Sequence, residues 1–95
     1  MKIYINSSSK LSDRDDWFQI WQEDKDWIID VMSQNISDDL AAGYDPNGKS
    51  IKEQKSALAK YREEYDADMD MFKYMGEKDI NRWCFYDLKK RGAID

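Results

Sequence analysis

The fold of this chain is decided by the stretch SIKEQKSALAKYREEYDADMDMFKYMG, residues 50–76. Its apolar side chains recur at intervals of seven, at Ile51, Leu58, Tyr65 and Phe72. Seven residues are close to two turns of an α-helix, so these side chains share one face. Ser50 and Glu53 match a capping box, and Gly76 is typical of the position after a helix end. The stretch therefore predicts one long helix with a single buried face.

A second helix is predicted upstream, between Trp17 and Ile36, where apolar residues are separated mainly by three, four and seven positions. The polar run 22–26 interrupts this pattern. Two interpretations are open: one continuous helix, which we favour, or a break at which Asp24 or Asp26 begins another helix. The number of helices in the fold depends on this run.

A last helix is predicted from about residue 79 to residue 91. Three apolar residues on it are separated by four positions each: Ile80, Cys84 and Leu88. At the other end of the chain, residues 2–6 alternate as a short strand would, within an extended segment 1–10. The predicted fold class is mainly α: a single domain, 1–95, formed by a small bundle of three to four helices with a short N-terminal strand.

The composition excludes several classes of function. The 95 residues contain no histidine and one cysteine, Cys84. Nucleophiles paired with histidine, histidine metal sites and four-cysteine zinc sites are therefore excluded, and no intramolecular disulfide can form. Asp66, Asp68 and Asp70 resemble the start of a calcium loop, but Met71 stands where that loop needs glycine. We expect no catalytic, cofactor-binding or metal-binding residues, and no enzymatic activity.

The sequence contains no stretch that predicts targeting or membrane insertion. The apolar N-terminal stretch covers residues 1–6 and runs into three serines, which is too short for a signal peptide or a membrane span. We therefore expect a cytoplasmic protein that does not contact a membrane.

Charge is arranged in blocks along the chain, although the net charge is only −5. The blocks are −8 in residues 11–48, +4 in 49–62, −5 in 63–70 and +2 in 71–95, with +2 in the first ten residues. Seven acidic residues face two basic ones between Asp13 and Asp30. Such a concentration costs self-repulsion unless solvent or a cationic partner relieves it. The blocks indicate a protein with differently charged surfaces.

The aromatic run 83–86 is a second unusual feature. Four consecutive helical residues sweep about 300°, so the four side chains cannot all face one core. Either an internal layer buries several sides of this helix, or some of the rings form a surface for a partner, because interfaces favour aromatic residues. We give these interpretations equal weight. Cys84 lies on the apolar stripe and is interpreted as a buried core residue.

The hypothesis that best accounts for these features is a small acidic protein-binding module. It would be an inhibitor or adaptor that occupies a cationic, nucleic-acid-binding groove of a partner protein by imitating the charge of nucleic acid. This comparison rests on size and charge alone. The residues predicted to contact such a partner are Asp15, Asp16, Glu23, Asp24, Asp26, Glu63, Glu64, Trp83 and Tyr86.

Two alternative hypotheses belong to other classes. The first is a homo-oligomeric structural or regulatory protein, for example a homodimer, in which residues 2–6 pair across a two-fold axis or the helix with Trp83 and Tyr86 packs against its copy. The second is a nucleic-acid-binding accessory factor that uses the basic segment from Lys78 to Arg91. Overall acidity opposes contact with phosphate, and cations in a last helical turn complement the helix dipole, so direct binding of DNA or RNA is disfavoured.

Overall fold

Three α-helices form most of the structure. The computed structural model describes residues 16–94. The helices are α1, Trp17–Ala41; α2, Lys49–Phe72; and α3, Glu77–Lys90. The prediction of a mainly α-helical bundle is confirmed. The predicted strand 2–6, and the extended segment 1–10 that contains it, lie outside the described residues.

The polar run 22–26 does not interrupt α1, which confirms the continuous helix. Two of its five side chains point into the protein, where Asp24 is 1% and Lys25 is 5% exposed. Asp24 Oδ2 accepts a hydrogen bond from Arg91 at 3.0 Å, and the Lys25 ammonium lies 4.6 Å from the ring centroid of Tyr61. The apolar pattern pauses here because a buried charge cluster replaces an apolar contact.

The start of α2 differs from the prediction. The helix begins at Lys49 with Gly48 as its N-cap and without a side-chain hydrogen bond, so the capping box at Ser50 is wrong. The preceding turn provides the reason. The Gly48 N–H donates to the Asp45 carbonyl oxygen at 2.9 Å, and the Asn47 N–H donates to Asp45 Oδ1 at 2.9 Å. This closed turn already directs the chain into the helix.

The prediction that Gly76 ends α2 is also wrong. The helix stops at Phe72, and the chain turns through hydrogen bonds such as Met75 N–H to the Phe72 carbonyl at 3.1 Å. Gly76 is instead the N-cap of α3, with an extended ψ of 156°. α3 therefore begins at Glu77, earlier than predicted, and ends at Lys90.

α1 and α2 form an antiparallel hairpin, and α3 lies along α1 in the same direction. The contacts that define these directions are Phe18–Phe72 and Asp39–Gln54 for α1 with α2, and Phe18–Asn81 and Asp24–Arg91 for α1 with α3. α3 therefore covers part of one face of the hairpin and ends at the level of Asp24.

The core lies at the end of the hairpin where all three helices meet. Trp17 and Trp21 are completely buried there, and the ring centroid of Phe72 lies 5.2 Å from that of Trp21. The other buried members of this core are Cys84, Phe85, Leu88, Ala93 and Ile94. Ile36 and Ile51 are buried further along the hairpin, toward its tip. The molecule is accordingly elongated, 50 × 31 × 17 Å.

Candidate protein-binding surface

The hairpin of α1 and α2 has two faces, and α3 lies on one of them. We call the opposite one the open face. A groove of about 340 Å³ runs along it between the two helices, lined by Asp26, Ile29, Arg62, Tyr65 and Asp66. Asp24 faces the end of α3. Asp26 comes two residues later, which corresponds to a helical rotation of about 200°. The groove therefore lies on the side of α1 away from α3.

Two rows of carboxylates flank the groove. They are Glu23, Asp26 and Asp30 on α1, and Glu63, Asp66 and Asp70 on α2, and all six are exposed. In each row the residues are separated by three and then four positions, which places them on one side of their helix. Two cations lie among them: Arg62 lines the groove, and Lys73 pairs with Asp70 at 3.0 Å. Negative charge therefore predominates at this end of the open face.

Positive charge occupies the other end of the open face. The exposed residues Lys52 and Lys55 lie seven to eleven residues before Arg62 and Glu63, and this spacing places them on the same side of α2, closer to the tip of the hairpin. The acidic part of the open face is thus confined to the half nearest the core.

Tyr65 connects the groove to the core. Its ring centroid lies 5.3 Å from that of Trp21. The pKa of Tyr65 is raised, first because burial disfavours the phenolate and second because the negative charge of Asp26 is close. Tyr65 therefore presents a neutral hydroxyl group between two acidic rows, on a rigid aromatic base.

Asp24 does not belong to this surface, and its prediction as a partner contact is corrected. Its side chain is 1% exposed and is held by Arg91 Nη1, 3.0 Å from Asp24 Oδ2. Arg91 Nε also donates to Asp87 Oδ2 at 3.0 Å, and the Trp21 Nε1–H donates to the same oxygen at 2.9 Å. We call these four residues the Arg91 cluster. It fixes the end of α3 against α1 and leaves Asp24 inaccessible to a partner.

Two more polar groups adjoin the Arg91 cluster. The pKa of Lys25 is lowered by burial and by the nearby charge of Arg91, and burial raises the pKa of Tyr61 to about 12. Asp24 Oδ1 and the Tyr61 hydroxyl are buried without a hydrogen-bond partner in the described part of the chain. Burial by itself would lower the pKa of Arg91. The hydrogen bonds from its guanidinium to Asp24 and Asp87 together have the larger effect, so the pKa of Arg91 is raised. The ion pair of Arg91 with Asp24 therefore compensates the buried charge in a region that also contains two buried polar atoms without a partner.

The remaining acidic candidates occupy different positions. Glu23, Asp26 and Glu63 lie on the open face, whereas Glu64 lies on the α3 side of α2, where its charge acts on Lys25. Asp16 is half-buried just before α1, and Asp15 lies outside the described residues. The two adjacent glutamates thus point to different faces of the hairpin, because neighbouring helical residues diverge by about 100°.

The aromatic run 83–86 divides between core and surface. Trp83 is half-buried, with its ring centroid 5.1 Å from that of Phe72 and 5.8 Å from that of Trp21. Tyr86 is 59% exposed and contacts the ring of Phe85. Trp83 therefore belongs to an internal layer, while Tyr86 is available to a partner on a surface separate from the groove.

Cys84 is completely buried, as its position on the apolar stripe predicts. Burial raises the pKa of its thiol to about 12. Because the thiolate is the nucleophilic form, this cysteine is unreactive at neutral pH.

Four of the five residues that line the groove are not among the predicted partner contacts: Ile29, Arg62, Tyr65 and Asp66. Tyr65 belongs to the seven-residue pattern of α2 and was assigned to the core, where part of its ring does lie. The sequence does show that acidic residues on both helices are separated by three and four positions. It does not show that the two rows face the same side of the hairpin, and without that information the groove could not be predicted.

Among residues 16–94, no group of three acidic or cysteine side chains comes close enough together to hold a metal ion. Within the same range, no helix combines the length and the apolar character needed to cross a membrane.

Comparisons with protein-family models, with curated proteins and with solved structures found no match to this chain. Function is therefore inferred from the residues of the open face themselves.

Proposed function

We propose that this protein is a small acidic protein-binding module whose open face docks on a cationic surface of a partner protein. The observation that supports this most directly is the convergence of two carboxylate rows, one from α1 and one from α2, on the same groove. Carboxylates that two helices bring together repel each other, and a cationic partner would relieve this repulsion.

The spacing of these charges suits a surface that normally binds nucleic acid. Along one helix, Glu23, Asp26 and Asp30 span seven residues, so one carboxylate occurs about every 5 Å at a rise of about 1.5 Å per residue. A DNA strand carries one phosphate about every 3.4 Å. The two densities are similar enough for one cationic groove to accept either. We therefore propose an inhibitor or adaptor that competes with nucleic acid for its partner.

Apolar groups inside the groove support protein binding in particular. Ile29 and Tyr65 lie between the acidic rows, and stable interfaces combine an apolar or aromatic centre with a polar rim. Tyr65 is braced by Trp21, so little conformational entropy is lost when a partner covers it.

The test compares two double variants that change the net charge equally. Asp26→Lys with Asp66→Lys reverses the groove, and Asp38→Lys with Glu53→Lys reverses two exposed acidic residues near the tip of the hairpin. The probe is a fluorescent arginine-rich peptide, measured by anisotropy over a range of salt concentrations. We expect the groove variant to bind at least about tenfold more weakly than the wild type, or about 1.4 kcal/mol, and the tip variant to lose less than about threefold.

Equal losses in the two variants would contradict the proposal, because binding would then follow net charge alone. The same variants, used as baits in a lysate of the native host, identify the partner as the protein that the wild type and the tip variant retain and the groove variant releases. A mobility-shift assay with DNA and RNA at low salt tests the nucleic-acid alternative. Arg91 is engaged by Asp24 and Asp87, which leaves that alternative fewer cations in the segment from Lys78 to Arg91.

A further inference from the structure

The α3 side of the hairpin has the shape of a step. α1 has 25 residues and α3 has 14, so α3 is about 16 Å shorter at a rise of about 1.5 Å per residue. Because α3 starts at the base of the hairpin and ends at the level of Asp24, the uncovered length lies toward the tip. A helix is about 10 Å in diameter, which sets the height of the step.

The uncovered part of this side carries apolar residues. Trp27 is 42% and Val31 is 37% exposed, and their separation of four residues places them together on α1. They continue the side of α1 on which Asp24 binds Arg91 at the end of α3, because 24, 27 and 31 are separated by three and four positions. We call Trp27 and Val31, with the neighbouring half-buried Ile28, the step patch.

We propose that a second copy of this chain covers the step patch in an antiparallel, two-fold symmetric dimer. In this arrangement the tip of each hairpin fits into the step beside α3 of the other copy. Two copies packed in parallel would instead bring their α3 helices into collision while leaving both tips apart. Shape alone therefore selects the antiparallel arrangement, and its interface uses the same patch on both subunits, as two-fold symmetry requires.

Charge at the two ends of the step patch favours a second copy over another partner. Lys89 and Lys90 are exposed at the end of α3, and Asp38 and Asp45 are exposed near the tip. The antiparallel dimer places the basic end of each copy against Asp38 and Asp45 of the other. A partner with charge of one sign would meet like charge at one of the two ends.

The step patch adjoins the acidic row of α1 at Trp27, which lies four residues after Glu23 and three before Asp30, but it does not include the residues that line the groove. Both grooves remain accessible in the dimer. A dimeric module would therefore present two acidic surfaces, which increases its apparent affinity for any partner that offers two cationic sites.

The test is sedimentation equilibrium over a concentration series up to about 1 mM, which detects association as weak as about 4 kcal/mol. We expect the wild type to dimerise and the double variant Trp27→Ser with Val31→Ser to dimerise at least about tenfold more weakly. Tyr74→Ser is the matched control, since Tyr74 is 91% exposed in the turn between α2 and α3, and it should leave the dissociation constant unchanged. A wild type that stays monomeric, or a step-patch variant that associates as the wild type does, overturns the proposal.

A charge exchange keeps the proposal testable if the apolar variant unfolds, which circular dichroism would show. Lys90→Glu and Asp38→Lys lie at exposed positions, and each should weaken the dimer by placing like charges at the same junction. The two changes combined should restore most of the affinity. If the combined variant dimerises more weakly than either single variant, the basic end of α3 does not meet the tip of the other copy. That result would overturn the antiparallel arrangement.

Discussion

Arg91 connects the end of α3 to the first third of α1. Its guanidinium binds Asp24 and Asp87, both at 3.0 Å, and a quarter of its side chain is exposed. Asp24 is almost completely buried, so its charge is tolerated only because Arg91 compensates for it. This one contact explains how a carboxylate fits in the middle of an apolar stripe.

The first prediction is that Arg91→Ala lowers the free energy of unfolding by about 3 kcal/mol, as measured by urea denaturation. This is the low end of the range for a broken buried pair, because Arg91 is partly solvated. Lys90→Ala is the matched control, since Lys90 is exposed and adjacent, and it should cost less than about 0.5 kcal/mol.

A second substitution distinguishes the ion pair from simple loss of contact area. Asp24→Asn combined with Arg91→Ala removes the buried charge as well as its partner, and it should be less destabilising than Arg91→Ala alone. If the double variant is less stable than Arg91→Ala alone, Asp24 stabilises the fold through interactions other than its charge.

At the scale of the helices, a side chain of α3 caps the N-terminus of α1. The residue before α1, Asp16, makes no side-chain cap of its own. Instead, the Phe18 N–H at the start of α1 donates to Asn81 Oδ1 at 2.9 Å, from a residue 63 positions away. Asn81 is 6% exposed, so water does not replace this acceptor easily.

The second prediction concerns this cap. Asn81→Ala leaves the Phe18 N–H without its acceptor and should lower the free energy of unfolding by about 1–2 kcal/mol in urea denaturation. Asn81→Asp retains an acceptor oxygen and adds a negative charge at a helix N-terminus, but that charge is buried, so it should recover only part of this loss. Equal destabilisation by both substitutions would show that the amide group of Asn81 acts through its N–H₂ instead.

The sequence predicts helix faces better than helix ends. The seven-residue pattern of α2 places Ile51 and Phe72 on its buried face, and both are buried in the structure. The ends are missed because competing caps exist: the turn from Asp45 to Gly48 starts α2 before Ser50 can, and Gly76 serves α3 rather than α2. Local propensity cannot choose between two adequate caps, since each is worth only about 1 kcal/mol.

At the scale of the whole molecule, stability is distributed unevenly. Trp17, Trp21, Phe72 and Leu88 concentrate the buried apolar surface at the base of the hairpin, where three helices meet. Toward the tip two helices face each other, and Ile36 and Ile51 provide the buried apolar contacts. A two-helix hairpin removes less apolar surface from water than a three-helix core does, so its helices open at a lower free energy.

The third prediction is a gradient in amide hydrogen exchange. At concentrations well below dimerisation, amides of residues 33–38 and 51–57 should exchange about 30-fold faster than those of 19–25 and 66–72, a difference of about 2 kcal/mol in opening free energy. Nuclear magnetic resonance measures this residue by residue. Uniform protection along both helices would contradict it, and protection of the tip that increases with concentration would point to the dimer.

The sequence by itself determined the helical class, the buried faces of α2 and α3, and the excess of acid on α1, because these depend on residue type and helical period alone. Tertiary structure decided which charges reach solvent. Asp24 and Asp26 belong to the same polar run and were both predicted to contact a partner, yet Asp24 is buried against Arg91, 67 residues away, and Asp26 lines the groove. The physical reason is that a charge is buried only where a distant partner compensates for it, and a groove exists only where two helices place their rows side by side.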